Sequence, residues 1–247
     1  MAARVWVVTG GAAGIGQAIG QRAGEEGERV VLVDRDEERV LATADAARRA
    51  GHDVSHRVVD LRDEDAIAEC IQWVVAEHGV IDVLVNNAGL ALREGSVAEL
   101  SRKQWDLSIA VNLTAVYLMC HHAVPRMPPG SAIVNVATAG ALRAVPGTDA
   151  YLAAKAGVIG LTKAMAVSLA DRGIRANAVC PNVILTEEVR ARQDDPRVQA
   201  MVRRTGEPLG RGHGEPYEVA DVVWYLASPQ ASFLNGLALP VDGGATA

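Results

Sequence analysis

Two side chains that could move a proton lie in the stretch YLAAK, residues 151–155. On a helix, the four-residue spacing of Tyr151 and Lys155 places both on one face, with Cβ atoms about 5–6 Å apart. An ammonium about 4 Å from the tyrosine oxygen would stabilise the phenolate by roughly 4 kcal/mol at an effective dielectric constant of about 20, or about three pKa units. Tyr151 would then act as a general acid or base near neutral pH. The alternative is that the ring of Tyr151 packs and Lys155 is a solvated surface residue.

A glycine-rich segment, TGGAAGIGQAIG at residues 9–20, could bind the phosphates of a nucleotide. Gly10, Gly14 and Gly16 lie between an apolar run of strand length and a stretch with helical periodicity. Glycine permits a tight turn and lets backbone N–H groups approach a pyrophosphate at the positive end of the helix. The alternative is an ordinary strand-to-helix turn, but the position between a buried strand and a helix favours the phosphate site.

Asp34 ends the second apolar run, about 20 residues after the glycines, where an acid can accept hydrogen bonds from an adenosine ribose. It could instead cap the helix that begins near Glu37; the glycine motif favours the ribose. A carboxylate about 4 Å from a 2′-phosphate would cost about 4 kcal/mol at an effective dielectric constant of about 20, although Arg35 would offset part of this repulsion. We therefore expect NAD to be preferred over NADP.

The apolar pattern indicates the scaffold that would hold these residues. Runs of strand length recur and are nearly continuous rather than alternating, with helical periodicity between most of them. This is typical of βαβ units in a parallel sheet covered on both faces, so we predict an α/β, doubly wound Rossmann fold with about seven strands. The predicted strands are residues 5–9, 30–34, a weaker run at 56–60, 81–85, 132–137, 175–179 and 237–241.

No linker divides the chain, so residues 1–247 are predicted to form one dinucleotide-binding and catalytic domain. The segment at residues 186–216 breaks the alternation of strands and helices. It follows a predicted strand and would leave from the carboxyl end of the sheet, where ligands bind in doubly wound folds, which makes it a candidate substrate lid. Its arginines and acids are balanced, so its charges favour a solvated amphipathic helix pair over an anion site.

The composition excludes several classes of function. With 24 basic and 30 acidic residues, the net charge is −6, and no long run of one sign attracts nucleic acid or an anionic membrane. No stretch reaches the roughly 20 apolar residues of a membrane span and no export signal is visible, so a cytoplasmic protein is expected. Cys70, Cys120 and Cys180 are expected to be reduced thiols. The six histidines lack ligand spacing, so no metal site is predicted.

Several motifs occur in a fixed order: the glycine turn spaced TGxxxGxG, NNAG at residues 86–89, Asn112 in a helix-like stretch, and YxxxK at Tyr151. In these motifs the chain resembles the short-chain dehydrogenase/reductase family in its single-domain form, over almost its whole length. The resemblance implies that Tyr151 is the general acid/base, that Lys155 lowers the pKa of Tyr151 and binds the nicotinamide ribose, and that Asn112 holds a water for a proton relay. It also implies an enzyme that interconverts a secondary alcohol and a ketone with NAD(H).

The resemblance further implies a set of residues that bind the cofactor NAD. Asp60 and Leu61 match the family's adenine-contact positions, and Ala88 and Gly89 would lie beside the adenosine, where a side chain would obstruct it. The complete predicted set is Gly10, Gly14, Ile15, Gly16, Asp34, Asp60, Leu61, Asn87, Ala88, Gly89, Tyr151, Lys155, Pro181, Ile184 and Thr186.

The segment PNVILTE resembles the family's PGxIxT element, which implies that the Ile184 backbone and the Thr186 hydroxyl hold the carboxamide of nicotinamide. Asn182 stands where the family usually has glycine. Asparagine is the commonest non-glycine residue at left-handed backbone angles, so we expect the turn to be preserved there with those angles. Asn86 and Asn87 are expected to hydrogen-bond to the sheet.

Thr138, in VNVATAGAL, stands thirteen residues before Tyr151, where the family usually has its catalytic serine. Threonine keeps the hydroxyl that would polarise a substrate carbonyl, but its branched Cβ restricts χ1 and adds a methyl group to the pocket. A purely structural role for Thr138 is the alternative.

Two other functions stay open. One is an NADPH-dependent biosynthetic ketoreductase of the 3-oxoacyl type, for which Arg126 and Arg172 near the pocket mouth could meet an acidic carrier. The other is a non-catalytic NAD-binding regulatory protein, which Thr138 and Asn182 leave possible.

The small-molecule substrate is expected to be an uncharged, moderately apolar alcohol or ketone. The loops predicted to line its pocket carry few fixed charges and include Leu90, Leu92, Leu142, Val145 and Val189. A homotetramer is also expected, because the family buries the two long helices around Asn112 and Tyr151 against a symmetry mate. Both stretches are apolar on more than one face, as such packing requires.

Overall fold

A parallel sheet of seven strands forms the centre of the computed structural model, which describes residues 3–91, 96–191, 194–195, 199 and 208–247. The strands are β1 (Val5–Thr9), β2 (Arg29–Asp34), β3 (Val54–Val58), β4 (Val83–Asn86), β5 (Ala132–Val136), β6 (Arg175–Pro181) and β7 (Ala238–Val241). Their spatial order is β3-β2-β1-β4-β5-β6-β7. The order reverses direction between β1 and β4, and ligands bind at such a switch point in doubly wound folds.

Helices connect the strands and cover both faces of the sheet. They are α1 (Gly14–Glu25), α2 (Glu37–Arg49), α3 (Glu64–His78), α4 (Arg102–Ile109), α5 (Ala115–Ala123), α6 (Gly140–Arg143), α7 (Asp149–Ser168), α8 (Glu187–Arg190) and α9 (Pro216–Ala227). A π-helical turn, Ala110–Thr114, joins α4 to α5.

The nearly continuous apolar strands bury side chains on both faces of the sheet. In β1, Val7 belongs to the core that also contains Ile67 of α3, whereas Trp6 belongs to the opposite core with Ile19 of α1 and Val223 of α9. All five residues of β1 are buried. This confirms the predicted doubly wound fold. That one domain spans residues 1–247 stays a prediction.

Backbone pairing, rather than apolarity, sets the strand bounds that differ from the predicted ones. The weak third strand was predicted at residues 56–60, but β3 pairs with β2 from Val30↔Val54 to Asp34↔Val58 and so begins and ends two residues earlier. Strand β6 continues beyond the predicted residue 179 because Pro181 pairs with Val241 of β7.

The predicted lid at residues 186–216 is described only at its ends and at residues 194–195 and 199. The outgoing end forms α8. The returning end pairs Gly214 with Ile184 in a parallel bridge, and the Leu185 N–H donates to the Gly214 carbonyl at 2.8 Å. An ion pair between Arg190 and Glu215, 2.7 Å, also joins the two ends.

Two helical stretches, Arg102–Arg126 and Asp149–Ser168, have the length and composition of a membrane span, contrary to the expectation that no stretch does. In each, 44% of the tested window is buried inside the protein, and core helices pass the same test. Both stretches have residues in the core beneath the sheet, such as Met119 and Val158, which explains their apolar composition.

Arg126 and Arg172 lie at the amino edge of the sheet. The Arg126 carbonyl accepts from the N–H of Ile81, just before β4, and Arg172 precedes β6 and donates from Nη2 to the Val124 carbonyl at 2.8 Å. The expectation that both arginines lie near the pocket mouth is therefore wrong within one subunit, because the predicted catalytic residues lie at the carboxyl edge.

Candidate active site

The turn between β1 and α1 forms a backbone cradle that requires glycine. Gly10 and Gly14 have φ angles of 66° and 56°, and a Cβ on Gly16 would lie 2.0 Å from the Gly10 carbonyl oxygen. Helix α1 has no side-chain cap at Ala13 and no acidic residue in its first turn. Its positive end is therefore suited to an anionic group such as a pyrophosphate.

Asp34 lies beside this turn, and two backbone N–H groups fix its carboxylate. Oδ2 accepts from Ala12 N–H and Oδ1 accepts from Asp36 N–H, each at 3.1 Å. The adjacent cavity is lined by Asp34, Asp60, Leu61, Ala88 and Gly89, which were predicted to lie at the adenosine, and also by Gly10, Arg35, Val59, Leu90 and Val111. The carboxylate is thus held at the rim of the cavity that would take the ribose.

Asp60 reaches this cavity as half of an ion pair. The Arg62 guanidinium hydrogen-bonds to its carboxylate, with Nε 2.9 Å from Oδ1, and this lowers the pKa of Asp60 to about 2. Both side chains are substantially exposed. The charge of Asp60 is therefore largely balanced by Arg62.

The predicted contacts of Asn86 and Asn87 with the sheet are confirmed. Asn87 Nδ2 donates to the carbonyls of Thr9 and Gly10, at 3.0 and 3.2 Å, and Asn86 Nδ2 donates to Asn135 Oδ1 at 2.8 Å. These bonds tie the end of β4 to the glycine turn. Asn87 also lines the cavity that contains Tyr151.

Asn112 lies in the π-helical turn between α4 and α5 and is fully buried. Its Oδ1 accepts from Leu90 N–H at 2.8 Å, and its Nδ2 donates to the Leu90 and Ser108 carbonyls, each at 3.0 Å. Single π-helical turns are frequent at functional sites. Asn112 therefore anchors the segment after β4, while its role in holding a water stays a prediction.

Gly89 separates Asn112 from Lys155. A Cβ on Gly89 would lie 3.1 Å from Asn112 Oδ1 and 3.4 Å from Lys155 Nζ. The missing side chain therefore leaves the space between the amide and the ammonium open.

Tyr151 and Lys155 occupy the first two turns of α7. Nζ of Lys155 lies 5.9 Å from the centroid of the Tyr151 ring and donates to the Val136 carbonyl at 2.7 Å. Lys155 is 3% exposed, and burial lowers its pKa to about 8. Lys155 is thus a buried lysine, which contradicts the alternative of a solvated surface residue.

Thr138 follows β5 and lines the same cavity as Tyr151 and Lys155. Its Oγ1 donates to the Pro181 carbonyl at 3.4 Å and accepts from Gly140 N–H at 3.3 Å. Both contacts are long, so a substrate oxygen could compete for the hydroxyl proton. The position suits the predicted role of polarising a carbonyl.

The segment after β6 forms the opposite side of this cavity. Thr186 caps α8 by accepting from Val189 N–H at 3.4 Å, and its Cγ2 lies 3.0 Å from a Cβ placed on Gly14. Pro181, Ile184 and Thr186 all line the cavity, as the carboxamide prediction requires.

The expectation that Asn182 has left-handed backbone angles is wrong. Among the described residues, Ala144 is the one non-glycine residue with positive φ. The Asn182 N–H donates to the Val241 carbonyl at 3.2 Å, which extends the β6–β7 pairing by one bond. The backbone leaves β6 without a turn that needs glycine.

Apolar side chains make up most of the catalytic cavity. Leu90, Val145 and Val189 line it as predicted, whereas Leu142 is 41% exposed and is absent from the lining, and Leu92 lies outside the described residues. Glu188, which was not predicted from the sequence, lines the cavity together with Val189. The run TEE signals a capped helix start at Thr186, but only the fold places this helix over the cavity.

The two cavities meet at Gly89 and Leu90, which line both. Together they follow the carboxyl edge of the sheet from β2 and β3 to β5 and β6. The glycine cradle, the uncapped start of α1 and this continuous groove fit an extended dinucleotide, with adenosine beside Asp34 and nicotinamide beside Tyr151.

Comparisons with known proteins agree with this geometry. A family model described as enoyl-(acyl carrier protein) reductase matches residues 10–246. The chain is 38% identical to a 3-oxoacyl-(acyl-carrier-protein) reductase of Thermotoga maritima, over 98% of this chain and 97% of the relative. It is 39% identical to a D-threitol dehydrogenase of Mycolicibacterium smegmatis, over 98% and 93%. A solved actinorhodin polyketide ketoreductase variant with NADPH is similar, with a TM-score of 0.90, 36% identity and coverage of 99% and 97%.

Proposed function

The chain belongs to the short-chain dehydrogenase/reductase family, and from this premise we propose that it is an NAD(H)-dependent oxidoreductase that interconverts a secondary alcohol and a ketone. The observation that supports this most strongly is the placement of Tyr151, Lys155 and Thr138 around one cavity at the carboxyl edge of the sheet.

Each of these side chains has a role that its environment supports. When bound, the nicotinamide supplies or accepts the hydride. The Tyr151 hydroxyl gives its proton to the carbonyl oxygen in reduction and takes it from the alcohol in oxidation. The buried Lys155 ammonium stabilises the phenolate, and the Thr138 hydroxyl donates to the substrate oxygen.

The preference for NAD is supported by the fixed carboxylate of Asp34. Since two N–H groups hold it at the cavity rim, it cannot move away from a 2′-phosphate without losing them. Arg35 lines the same cavity and could attract that phosphate. Arg62 lies nearby, but its guanidinium is bound to Asp60. We therefore expect the repulsion between Asp34 and a 2′-phosphate to exceed the attraction of that phosphate to Arg35.

We expect the parent protein to have a catalytic efficiency at least tenfold higher with NAD than with NADP. Repulsion of about 4 kcal/mol between Asp34 and the 2′-phosphate sets an upper limit of about 10³-fold on this ratio, and Arg35 offsets part of the repulsion. Asp34→Ala should narrow this ratio, whereas Glu37→Gln, which removes a neighbouring acid outside the cavity, should not. Steady-state kcat/KM with both cofactors measures it. Equal or better efficiency with NADP would contradict the assignment.

The mostly apolar cavity supports an uncharged, moderately apolar alcohol or ketone as substrate. Lys155 and Glu188 are the charged side chains among the described lining residues. A panel of secondary alcohols, diols, sugars and hydroxysteroids assayed with NAD tests this, and a clear preference for a sugar acid would count against it.

A second candidate is an NADPH-dependent ketoreductase of the 3-oxoacyl type. The relative from Thermotoga maritima favours it by name. The amino-edge positions of Arg126 and Arg172 remove the support that these arginines would have given within one subunit. Turnover of a carrier-bound 3-oxoacyl substrate compared with its free analogue separates the two candidates.

We also propose a homotetramer. One face of α7 is exposed along small and apolar residues, Ala153, Ala156, Gly160, Ala164 and Val167, the last 80% exposed. On α5, Tyr117 is 49% exposed. Helices with apolar faces of this kind are suited to symmetric packing. Light scattering at micromolar concentration is expected to give four times the chain mass; a monomer would contradict the proposal.

A cytoplasmic location remains part of the proposal. The three cysteines are free and buried, and burial raises the pKa of Cys70 to about 11 and that of Cys120 to about 12. Three cysteines without a disulfide are typical of proteins in a reducing compartment. Cell fractionation tests the location, and recovery in an exported fraction would contradict it.

A further inference from the structure

We propose that the C-terminal turn, residues 242–247, is a strut that fixes the distance between two walls of the substrate pocket, and that Arg143 is a positioning residue that connects one wall to it. The inference rests on the proposed function for its kinetic readout. The turn is folded: Asp242 Oδ1 accepts from Gly244 N–H at 2.9 Å, and Oδ2 accepts from the Thr246 hydroxyl at 2.6 Å.

The first wall is the loop between β5 and α7, which carries Thr138 at its start and leads to Tyr151. Val145 and Thr148 of this loop line the catalytic cavity, and the Thr148 hydroxyl donates to the Val145 carbonyl at 2.9 Å. Arg143 donates from Nη1 to the Ala245 carbonyl at 2.7 Å. This bond joins the loop to the C-terminal turn, 102 residues further along the chain.

The loop needs such an anchor because part of its backbone is strained. Ala144 has φ 69° and ψ 147°, angles that residues with a side chain rarely adopt. The Ala144 N–H donates to the Gly140 carbonyl at 2.8 Å. The residue before it, Arg143, is held by its bond to the Ala245 carbonyl. Because these angles are unfavourable for alanine, contacts with neighbouring segments must stabilise the backbone conformation that places Val145 at the cavity.

The second wall is the stretch after β6 that includes Ile184, and the returning end of the following segment supports it from behind. Pro208 packs on the C-terminal turn, since a Cβ on Gly244 would lie 3.3 to 3.7 Å from three of its ring atoms. This arm continues to Gly214, which pairs with Ile184, a residue that lines the cavity. The turn thus contacts the first wall directly, through Arg143, and the second wall through this arm.

Loss of the Arg143 bond should free the first wall and widen the pocket. The adenosine half of the groove lies beyond β1, on the far side of the switch point, so NADH affinity should not change. We expect relaxed discrimination between small and bulky alcohols rather than loss of the proton-transfer step, because Tyr151 and Lys155 sit on α7 and remain in place.

The test without substrate is amide hydrogen exchange in the full-length protein. Arg143→Ala and a deletion of residues 245–247 should each raise exchange in residues 140–148 by about threefold or more. The double variant should add little, because the bond between Arg143 and the Ala245 carbonyl is already lost in each single variant. Arg143→Lys, which keeps a donor, should lie between. The matched control is Arg48→Ala, which removes a similar bond to a carbonyl, that of Val54. Exchange at the parent level in the deletion variant, or additive effects, would overturn the inference.

The kinetic test compares 2-butanol with 1-phenylethanol, with NAD. In Arg143→Ala the ratio of kcat/KM for the bulky over the small alcohol should rise by about fivefold, because positioning of the substrate loosens. An unchanged ratio in an active parent background overturns the inference. If the parent oxidises no alcohol, the proposed function fails, and the exchange result alone decides the role of the strut.

Discussion

Tyr151→Phe is expected to lower turnover by about 10²–10⁴-fold, because the substitution removes the proton donor of the reaction and leaves the ring in place. NADH affinity should stay close to that of the parent, since Lys155 keeps its bond to the Val136 carbonyl and the glycine cradle is untouched. Steady-state kinetics with an active alcohol and a fluorescence titration with NADH measure the two quantities.

Tyr225→Phe is the matched control for this substitution. Tyr225 is 47% exposed on α9 and does not line either cavity, so the same chemical change there should alter neither quantity. If Tyr151→Phe turned over like the parent, the general acid/base would have to be another group. If the parent itself binds NADH and neither oxidises nor reduces any compound in a broad panel, the non-catalytic regulatory function is supported instead.

Thr138→Val is expected to lower kcat by about 10²–10³-fold, or roughly 3–4 kcal/mol, by analogy with the loss of a donor to a developing oxyanion. Valine keeps the shape of threonine and removes the hydroxyl. Thr138→Ser should stay active, because it keeps the donor and loses only a methyl group. Rates measured at saturating NAD and alcohol check both variants.

The two substitutions together separate the roles of the hydroxyls. Full activity of Thr138→Val beside an inactive Tyr151→Phe would show that the role assigned to Thr138 is wrong, and that the long contacts of its hydroxyl with Pro181 and Gly140 are structural. Loss of activity in both variants would support a mechanism in which the substrate carbonyl accepts hydrogen bonds from the hydroxyls of both Thr138 and Tyr151.

Local spacing was sufficient to predict the residues of this site that lie on one element or one turn. The glycine cradle, Asp34 at the end of β2 and the pair Tyr151 and Lys155 on α7 all depend on short stretches whose geometry follows from the strand or helix. The parallel sheet could be predicted for the same reason, since its strands are continuous apolar runs.

Features set by contacts between distant segments could not be predicted in this way. The angles of Asn182 depend on its bond to Val241 in β7, and the amino-edge positions of Arg126 and Arg172 follow from the direction in which their helices cross the sheet. Glu188 reaches the cavity only because α8 folds back over it. Nothing in the stretch YLAAK shows that Lys155 is 3% exposed, with its pKa lowered to about 8.

The central claim is that hydride moves between a secondary alcohol and NAD while Tyr151 moves the proton. The most direct measurement is label transfer: the parent protein is incubated with NAD and secondary alcohols carrying deuterium on the carbinol carbon, and the reduced cofactor is analysed by mass spectrometry. The expected result is a single deuterium in the NADH formed by the parent and almost none in the Tyr151→Phe reaction. NADH binding with no transfer of label from any alcohol would contradict the claim.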